Sequence, residues 1–390
     1  MIDRILSSTL REASAKLPVI TITGPRQSGK TTLVRAVFTE HTYTNLEYPD
    51  TREYAETDPR GFLQSSPQMI IDEVQRVPNL TSYMQGMVDE ARRPAQFILT
   101  GSQNFSLVQS VSQSLAGRSA IYHLLPLSWE ELHDSGYQEE SYLPWLYRGF
   151  YPRLYDYDLP PAAWLPDYIQ TYLERDVRQI TQIQNLTTFQ TFLKLCAGRV
   201  GQLLNMSALS NEVGVDTKTI KSWISVLEAS YIVFLIRPHY KNFNKRVVKT
   251  PKLYFYDTGL ACSLLGIQSE EQLRTHYLKG ELFESFVVSE LQKHQFNCGQ
   301  RPVPYFWRDN TGHEVDFLLE RGDSITIAEI KSGKTIRPEF FRGLDFYRKI
   351  TTEKTSSYLI YGGDTSQRRS EHSVLRWQDS SQLLAPDATI

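Results

Sequence analysis

The chain has 390 residues, of which 41% are hydrophobic and 22% are charged, and its formal net charge is −2 at pH 7. This length is too great for one ordinary core and the composition excludes a disordered chain, so we expect two or three globular domains. The near-neutral charge excludes a chain-wide basic surface, so any contact with nucleic acid has to be local.

The amino-terminal segment "MIDRILSSTLREASAKL" carries charges among its apolar positions, which predicts an amphipathic helix and no signal peptide. No run of roughly 18 apolar residues occurs in the chain, so no membrane span is expected. The cysteines Cys196, Cys262 and Cys298 are far apart and odd in number, which favours buried thiols in a reducing compartment over disulfides or a zinc site. These features predict a cytoplasmic protein.

A glycine-rich motif follows the first predicted strand. The β-rich run from Val19 to Thr23 precedes "GPRQSGKTT", and the residues after it have helical spacing. This is the strand–turn–helix context that the P-loop pattern G-x-x-x-x-G-K-[ST] requires, because backbone N–H groups and the helix N-terminus then surround a phosphate. We therefore predict that ATP or ADP binds to Gly24, Pro25, Arg26, Gln27, Ser28, Gly29, Lys30, Thr31 and Thr32.

Two acidic residues follow a second apolar run, Met69 to Ile71, in "PQMIIDEVQRVP". Beside a P-loop, this pattern predicts that Asp72 holds Mg²⁺ through its water shell and that Glu73 orients or deprotonates the attacking water. Lys30 would reach the β- and γ-phosphates, and the Thr31 hydroxyl would coordinate the same Mg²⁺. A strand that merely ends in solvated acids is the alternative.

A third predicted strand, Phe97 to Thr100, ends in small polar residues. Ser102, Gln103 or Asn104 could sense the γ-phosphate, since parallel α/β sheets bind ligands at the carboxyl ends of their strands. A turn followed by a helix cap explains the same residues equally well.

The segments "GPRQSGKTTL", "IIDEVQ", "ILTGSQ" and "LAGR", in this order, resemble a large prokaryotic group of AAA+ ATPases with a carboxy-terminal domain of unknown function. The resemblance runs nearly the whole chain and implies a mononucleotide-binding α/β domain at residues 1–150. It also implies an arginine that acts on the nucleotide of a neighbouring subunit in a homo-oligomer, for which Arg118 is the candidate. An arginine that meets a helix dipole is the equal alternative.

Four prolines around "LPPAAWLPDY" (Pro152, Pro160, Pro161 and Pro166) predict a domain boundary. The segment "DYIQTYLERDVRQI" after them predicts a helix that starts a small helical lid. Its apolar face consists of Ile169, Tyr172, Leu173 and Val177.

The segment "NMSALSNEVGVDTKTIKSWISVLEASYIVFLI" predicts a winged helix within residues 151–250. A short helix ends at Gly214, Asp216 caps the next helix, and a strand follows. Thr217, Lys218 and Lys221 would lie on the exposed face of the second helix, where a major groove could be read.

Basic residues are most concentrated at residues 241–252, "KNFNKRVVKTPK", and this stretch predicts phosphate contacts with double-stranded DNA. The alternative is a solvated hairpin in a domain that only packs against its neighbours. The basic residues are Lys241, Lys245, Arg246, Lys249 and Lys252.

Two alternating segments near the carboxyl end, "HEVDFLLE" and "SITIAEIKS", predict a β-hairpin. Val315, Phe317 and Leu319 would share one face of its first strand. Asp316, Glu329 and Lys331 would then converge as D…E-x-K. Two carboxylates can bind a divalent metal, and a lysine beside them can activate water for attack on phosphorus.

This constellation resembles the PD-(D/E)XK nuclease core, which also takes an acid from a preceding helix. In the predicted helix "GELFESFVVSELQKH", Glu284 is the candidate and Glu281 is the alternative. The alternative to a nuclease site is a pair of half-buried strands with ordinary alternating charges.

The predicted fold class is α/β, with a P-loop AAA+-like parallel sheet at 1–150, a helical lid and winged helix at 151–250, and a restriction-endonuclease-like domain at 251–390. Two functions follow. In the first, an Mg²⁺-dependent ATPase controls a carboxy-terminal half that acts on DNA and could cleave it. In the second, a nucleotide switch docks a protein partner through a catalytically inactive nuclease-like domain.

Overall fold

The computed structural model describes residues 2–91, 93–102, 111, 113–173, 185–239, 248–301 and 303–385. Two β-sheets organise these residues. A five-stranded sheet belongs to the first third of the chain, and a nine-stranded sheet belongs to the rest. Among the residues that are described, no helix is both long and apolar enough to cross a lipid bilayer.

The first sheet is entirely parallel, with the strand order β2-β3-β4-β1-β5. Its strands are β1 (Val19–Thr23), β2 (Thr42–Asn45), β3 (Met69–Asp72), β4 (Phe97–Gly101) and β5 (Ser119–His123). The three central strands are buried over their whole length, because an apolar cluster covers each face of the sheet. The carboxyl ends of all five strands therefore meet at one edge.

Within the described residues six helices accompany this sheet, and a 3₁₀ turn (Val74–Arg76) follows β3. The helices are α1 (Leu6–Ser14), α2 (Lys30–Val37), α3 (Pro49–Thr57), α4 (Pro59–Gln64), α5 (Leu80–Ala91) and α6 (Trp129–Asp134).

The next region is helical, and Pro152 and Pro161 each begin a helix. Its helices are α7 (Tyr142–Arg148), α8 (Pro152–Asp156), α9 (Pro161–Tyr168), α10 (Leu186–Ala197), α11 (Met206–Val213) and α12 (Thr217–Ala229). A proline at the first helical position lacks only an N–H that would have no helical partner. Pro166 lies inside α9, and a π-helical turn (Ile169–Leu173) follows it. Val177 of the predicted lid lies outside the described residues.

Helices α11 and α12 match the predicted pattern closely. Gly214 ends α11 in the left-handed conformation with a φ of 79°, and the Asp216 carboxylate accepts a 2.8 Å hydrogen bond from the Thr219 N–H to cap α12. Ile220, Ile224 and Leu227 form the buried face of α12. The residues between the two helices therefore set the helix–turn–helix arrangement locally.

The second sheet has the strand order β13-β14-β12-β11-β10-β9-β7-β8-β6. Its strands are β6 (Gln202–Leu203), β7 (Val233–Pro238), β8 (Lys252–Phe255), β9 (Tyr305–Arg308), β10 (Glu314–Arg321), β11 (Ser324–Lys331), β12 (Lys354–Tyr361), β13 (Gln367–Arg368) and β14 (Ser373–Arg376). The remaining α-helices are α13 (Thr258–Leu264), α14 (Glu270–Thr275), α15 (Lys279–Asn297) and α16 (Arg342–Ile350).

One sheet thus extends across the predicted boundary at residue 250. Strand β7 pairs with β8 on one side and, in parallel, with β9 on the other. A single apolar cluster runs from Leu125 to Leu383 along this part of the chain. The middle and the carboxy-terminal regions therefore share both hydrogen bonds and core.

Two details differ from the expectations. In β10 the pairing with β9 gains one residue between Val315 and Leu318, which is a β-bulge. Val315 therefore packs with Leu318 in one cluster, whereas Phe317 lies in the cluster on the opposite face, so the predicted shared face is wrong for Val315. Cys298 is exposed, because it lies just beyond the end of α15, while the other two cysteines are buried.

A buried arginine holds the P-loop from outside the motif. The Arg4 guanidinium donates to the Ser28 carbonyl at 2.7 Å, to the Leu125 carbonyl at 2.8 Å and to the Glu131 carboxylate at 3.0 Å. Glu131 is fully buried and also accepts the Ser128 N–H in a capping box at the start of α6. This network fixes the loop to the elements that follow the sheet.

A second link joins the end of the sheet to the middle region. Tyr231 lies along the chain between α12 and β7. Its hydroxyl is 2.7 Å from Nδ1 of His123 at the end of β5 and 3.4 Å from Oγ1 of Thr23 at the end of β1. Burial, with a smaller contribution from Arg301, lowers the pKa of His123 to about 4. The imidazole is therefore neutral at pH 7.

We expect Arg4→Met to lower the free energy of unfolding by about 3–5 kcal/mol, because it leaves the buried Glu131 carboxylate without its cation. Urea unfolding of the full chain measures the change. Arg11→Met, at an exposed arginine of α1, is the matched control and should change stability by less than about 0.5 kcal/mol. A loss below about 1 kcal/mol for Arg4→Met would show that the pair contributes little.

Stability should fall on acidification because of His123. Its pKa in the folded state lies below the unfolded value of 6.5, so the unfolded chain binds the additional proton as the pH falls from 6.5 toward 4. Between pH 7 and pH 5, protonation linked to His123 alone should lower the free energy of unfolding by about 2 kcal/mol. Urea unfolding at both pH values should show a smaller difference for His123→Gln than for the wild type. Equal differences would contradict the assignment.

Candidate functional site

The P-loop lies at the carboxyl edge of the first sheet, directly after β1, which is flanked by β4 and β5. Gly24 has no room for a side chain, since a Cβ there would be 2.0 Å from the Leu124 carbonyl oxygen. Gly29 adopts a φ of 91° immediately before α2 begins at Lys30. Both glycines of the motif are therefore required by the backbone itself.

The polar groups of the loop point into its interior. The buried Lys30 ammonium donates to the carbonyl oxygens of Gly24 at 3.0 Å and Pro25 at 2.7 Å. Within the described part of the chain, the buried Ser28 hydroxyl and Gln27 Oε1 have no hydrogen-bond partner. Buried polar atoms normally have partners, and a phosphate oxygen would accept from the Ser28 hydroxyl. The loop therefore fits a phosphate.

Asp72 is the centre of a hydrogen-bond network at the same edge. Its carboxylate accepts from Thr31 of α2 at 2.7 Å, from Tyr43 of β2 at 2.9 Å and from Thr100 of β4. Burial, and then the charge of Asp72, raises the pKa of Tyr43, so its hydroxyl remains a donor. A carboxylate and a hydroxyl side by side are the hard oxygen ligands that Mg²⁺ prefers. Thr31 and Asp72 therefore fit an Mg²⁺ ion.

Glu73 turns away from the strand into the cleft. Its backbone is left-handed, with a φ of 56°, and its carboxylate accepts hydrogen bonds from Gln75 and, at 3.3 Å, from Ser102. Ser102 thus contacts the acidic residue, whereas Gln103 and Asn104 lie outside the described residues. A left-handed non-glycine residue is strained, and such strain is typical of functional positions.

A cleft of about 350 Å³ opens over these groups. Two arginines, Arg26 of the loop and Arg153 of α8, line it together with Thr32 and Tyr157. The cleft therefore brings arginines from two elements to the loop, and the acids Glu73 and Asp156 line it as well.

Arg118 lies at the opposite edge of the same sheet. Its carbonyl accepts the N–H of Val19, the first residue of β1, and its guanidinium pairs with Asp89 at 2.6 and 2.8 Å. The length of a five-residue strand, roughly 13 Å, separates it from the P-loop of its own chain. Its role toward a neighbouring subunit stays a prediction.

The structure brings together the three residues of the D…E-x-K constellation and Glu284. Lys331 Nζ lies 3.3 Å from Asp316 Oδ2 and 2.5 Å from Glu329 Oε1. The ladder between β10 and β11 ends at Phe317, and beyond it Asp316 Oδ2 accepts the Ile330 N–H at 2.9 Å. Glu284 of α15 reaches the same cluster, whereas Glu281 packs beside Gly201.

Lys252 also belongs to this cluster, which sequence reasoning missed. Its ammonium lies 2.9 Å from Glu284, 2.5 Å from Glu314 and 3.3 Å from Asp316, and its side chain is only 3% exposed. The prediction that Lys252 contacts DNA phosphate is therefore wrong, because three carboxylates surround it in the protein interior. Tyr254, on the same face of β8, donates to Glu284 at 2.6 Å.

Burial and the neighbouring charges shift the pKa values of the acids in this cluster in different directions. Burial, and then the charge of Asp316, raises the pKa of Glu284 to about 7 and that of Glu329 well above its usual range. Burial also opposes ionisation of Asp316, but Lys331 and Lys252 outweigh it and lower the pKa of Asp316. Among the described residues, no three His, Cys, Asp or Glu side chains form an arrangement that could hold a metal ion.

The predicted DNA-reading helix presents its basic residues to solvent. Lys218 and Lys221 of α12 are exposed, and Thr217 is half-buried. Lys249 is exposed as well, whereas Lys241, Lys245 and Arg246 lie outside the described residues.

Comparison with known proteins divides the chain into three matched parts. Residues 16–133 match the family described as an AAA domain, and residues 139–271 and 279–379 match two domains of unknown function, DUF8612 and DUF4143. Two similar structures are a Walker-type ATPase of Pyrococcus abyssi and the AMPPCP-bound DnaA of Aquifex aeolicus. The first is 12% identical, with a TM-score of 0.43, and covers 68% of this chain and 96% of its own. The second is 13% identical, with a TM-score of 0.31, and covers 57% and 86%.

Both TM-scores are low, so the family assignment rests on sequence. The uncharacterized protein Rv2008c of Mycobacterium tuberculosis is 33% identical over 346 residues, which are 87% of this chain and 76% of that protein. The uncharacterized protein Mb2031c of Mycobacterium bovis matches to the same extent. The chain therefore belongs to the family of these two mycobacterial proteins, with a P-loop ATPase-like AAA domain in its first third.

Proposed function

We propose that the protein is an Mg²⁺-dependent ATP hydrolase whose nucleotide state controls a winged-helix middle and a nuclease-like carboxy-terminal half that act on DNA. The observation that carries the proposal is the meeting of Thr31, Asp72 and Glu73 at the edge of the sheet that holds the P-loop. Phosphoryl transfer depends on positioning and charge more than on covalent chemistry, and these residues supply both.

Each group has a separate task. Lys30, with the backbone N–H groups of the loop, would bind the phosphates. Thr31 and Asp72 would hold Mg²⁺, which supplies charge stabilisation at the phosphates when it is bound. Glu73, positioned by Ser102, would orient the attacking water or accept its proton. In a homo-oligomer, Arg118 would add positive charge at the nucleotide of a neighbouring subunit.

We expect Lys30→Ala to lose nucleotide binding, because it removes the cation that faces the phosphates. Glu73→Gln should keep nucleotide binding but lower kcat by roughly 10²–10⁴-fold, because it removes the group that handles the proton of water. Binding of a fluorescent ATP analogue and steady-state phosphate release measure the two properties.

The isosteric control is Glu53→Gln, at an exposed glutamate of α3, which should alter neither property. Normal hydrolysis by Glu73→Gln would remove the role given to Glu73. Failure of the wild type to bind any nucleoside triphosphate would remove the proposal as a whole.

Contacts at both ends of the loop support control of the later regions by the nucleotide. The Tyr168 hydroxyl of α9 donates to the Arg26 carbonyl at 3.3 Å. Tyr231, which joins α12 to β7, contacts Thr23 immediately before the loop. A change in the backbone of the loop would therefore alter hydrogen bonds to the lid region and to the winged helix.

The order of elements supports the winged-helix proposal. A short strand, β6, precedes α11 and α12, and it pairs antiparallel with β8, which in turn pairs antiparallel with β7. The exposed Lys218 and Lys221 lie on the second helix of this unit, in the position from which a recognition helix contacts DNA.

We expect Lys218→Ala combined with Lys221→Ala to weaken binding of duplex DNA. The slope of log K against log salt concentration should also become shallower by about 2, because each lost phosphate contact reduces this slope by about 1. Fluorescence anisotropy across a salt series measures both effects. Lys194→Ala, at an exposed lysine of α10, should leave the slope unchanged. A flat slope for the wild type would refute DNA binding by this surface.

One observation favours the second candidate function, in which the nuclease-like half docks a protein partner and does not cleave. The carboxylates that would hold a catalytic metal surround Lys252 instead. The two candidates differ in one assay, DNA cleavage with Mg²⁺ or Mn²⁺ by the wild type and by Asp316→Ala. Cleavage that is lost in the variant supports the nuclease, and no cleavage by a protein that binds ATP supports docking.

A further inference from the structure

Lys252 is surrounded by the carboxylates on which a metal-dependent nuclease would rely. Glu284 comes from α15, and Glu314 and Asp316 come from β10, so the three acids reach one point from two elements. The Lys252 ammonium, which comes from β8, lies within 3.3 Å of an oxygen of each acid. An ammonium group has three N–H donors, so three carboxylates satisfy it completely.

We propose that Lys252 occupies the cation position of this cluster, so that the cluster is a metal-free ion lock and not a hydrolytic centre. The inference rests on the geometry around Lys252 and not on the nucleotide chemistry proposed above, so either can fail without the other. The lock fastens β8, the last strand of the proposed winged helix, to β10 and to α15.

The charges of the cluster come within one unit of balance without a divalent ion. It holds four carboxyl groups and three cations, namely Glu284, Glu314, Asp316 and Glu329 with Lys252, Lys331 and Arg308. A divalent ion added to this set would leave a net positive charge in the protein interior, which is unfavourable.

One atom of the cluster requires a separate explanation. Among the described residues, Glu329 Oε2 is buried without a hydrogen-bond partner, as a metal ligand without its metal would be. Lys331 Nζ lies 2.5 Å from Oε1 of the same carboxyl group, so Glu329 already has a cation beside it. The same ammonium lies 3.3 Å from Asp316 Oδ2.

Binding of Mn²⁺ to the full-length, nucleotide-free protein tests the proposal, with electron paramagnetic resonance to count bound ions. We expect the wild type and Asp316→Asn to bind the same number of Mn²⁺ ions, because the lysine already fills the cluster. Loss of one bound Mn²⁺ in Asp316→Asn would overturn the proposal. If Asp316→Asn does not fold, Glu329→Gln makes the same comparison.

The reciprocal variant removes the internal cation. Lys252→Met keeps most of the length of the side chain and removes its charge. We expect this variant to bind one additional Mn²⁺ per chain, and Asp316→Asn in the same chain should abolish that binding. The charge-preserving variant Lys252→Arg should bind no additional Mn²⁺. A folded Lys252→Met that gains no Mn²⁺ would overturn the assignment of a cation position. If Lys252→Met does not fold, the comparison of the wild type with Asp316→Asn still decides.

Discussion

The Asp72 carboxylate ties together the edge of the sheet on which the nucleotide chemistry depends. It accepts hydrogen bonds from α2, β2 and β4 while ending β3 itself. Four neighbouring elements therefore meet at one side chain. A buried carboxyl group needs hydrogen-bond partners, and these elements supply them. The hydrogen bonds that position Asp72 are thus the same ones that align the ends of the strands, so the candidate site and the fold are specified together.

Local patterns made most of the first third predictable. The strand before the P-loop, the helix after it and the strand that carries Asp72 all follow from short apolar runs next to glycine or acidic residues. Each signal lies within about a dozen residues, the range over which periodicity and capping act. The helix–turn–helix around Gly214 was predictable for the same reason.

Other parts of both sites depend on contacts that no local pattern contains. Arg4 reaches Glu131, 127 residues away, and Lys252 reaches Asp316, 64 residues away. The bulge in β10 was also hidden, because strict alternation predicts one face for Val315 and Phe317. One signal was present but unused. Lys252 and Tyr254 alternate along a strand, so both had to face the same environment, and the tyrosine favours a buried one.

A lysine and a divalent metal ion can each lie among clustered carboxylates, but the chemical consequences differ. Both neutralise clustered carboxylates, but a metal keeps open positions at which water is bound and made acidic. An ammonium group whose three donors are all engaged has no such position, so it stabilises the acids without creating a nucleophile. The pattern D…E-x-K describes only Asp316, Glu329 and Lys331, and these are compatible with either cation. The residue that decides between the two chemistries lies on β8, outside the pattern. In this chain the fold of the carboxy-terminal half and its chemistry are therefore separate questions, and the second depends on a residue of β8 that the pattern does not include.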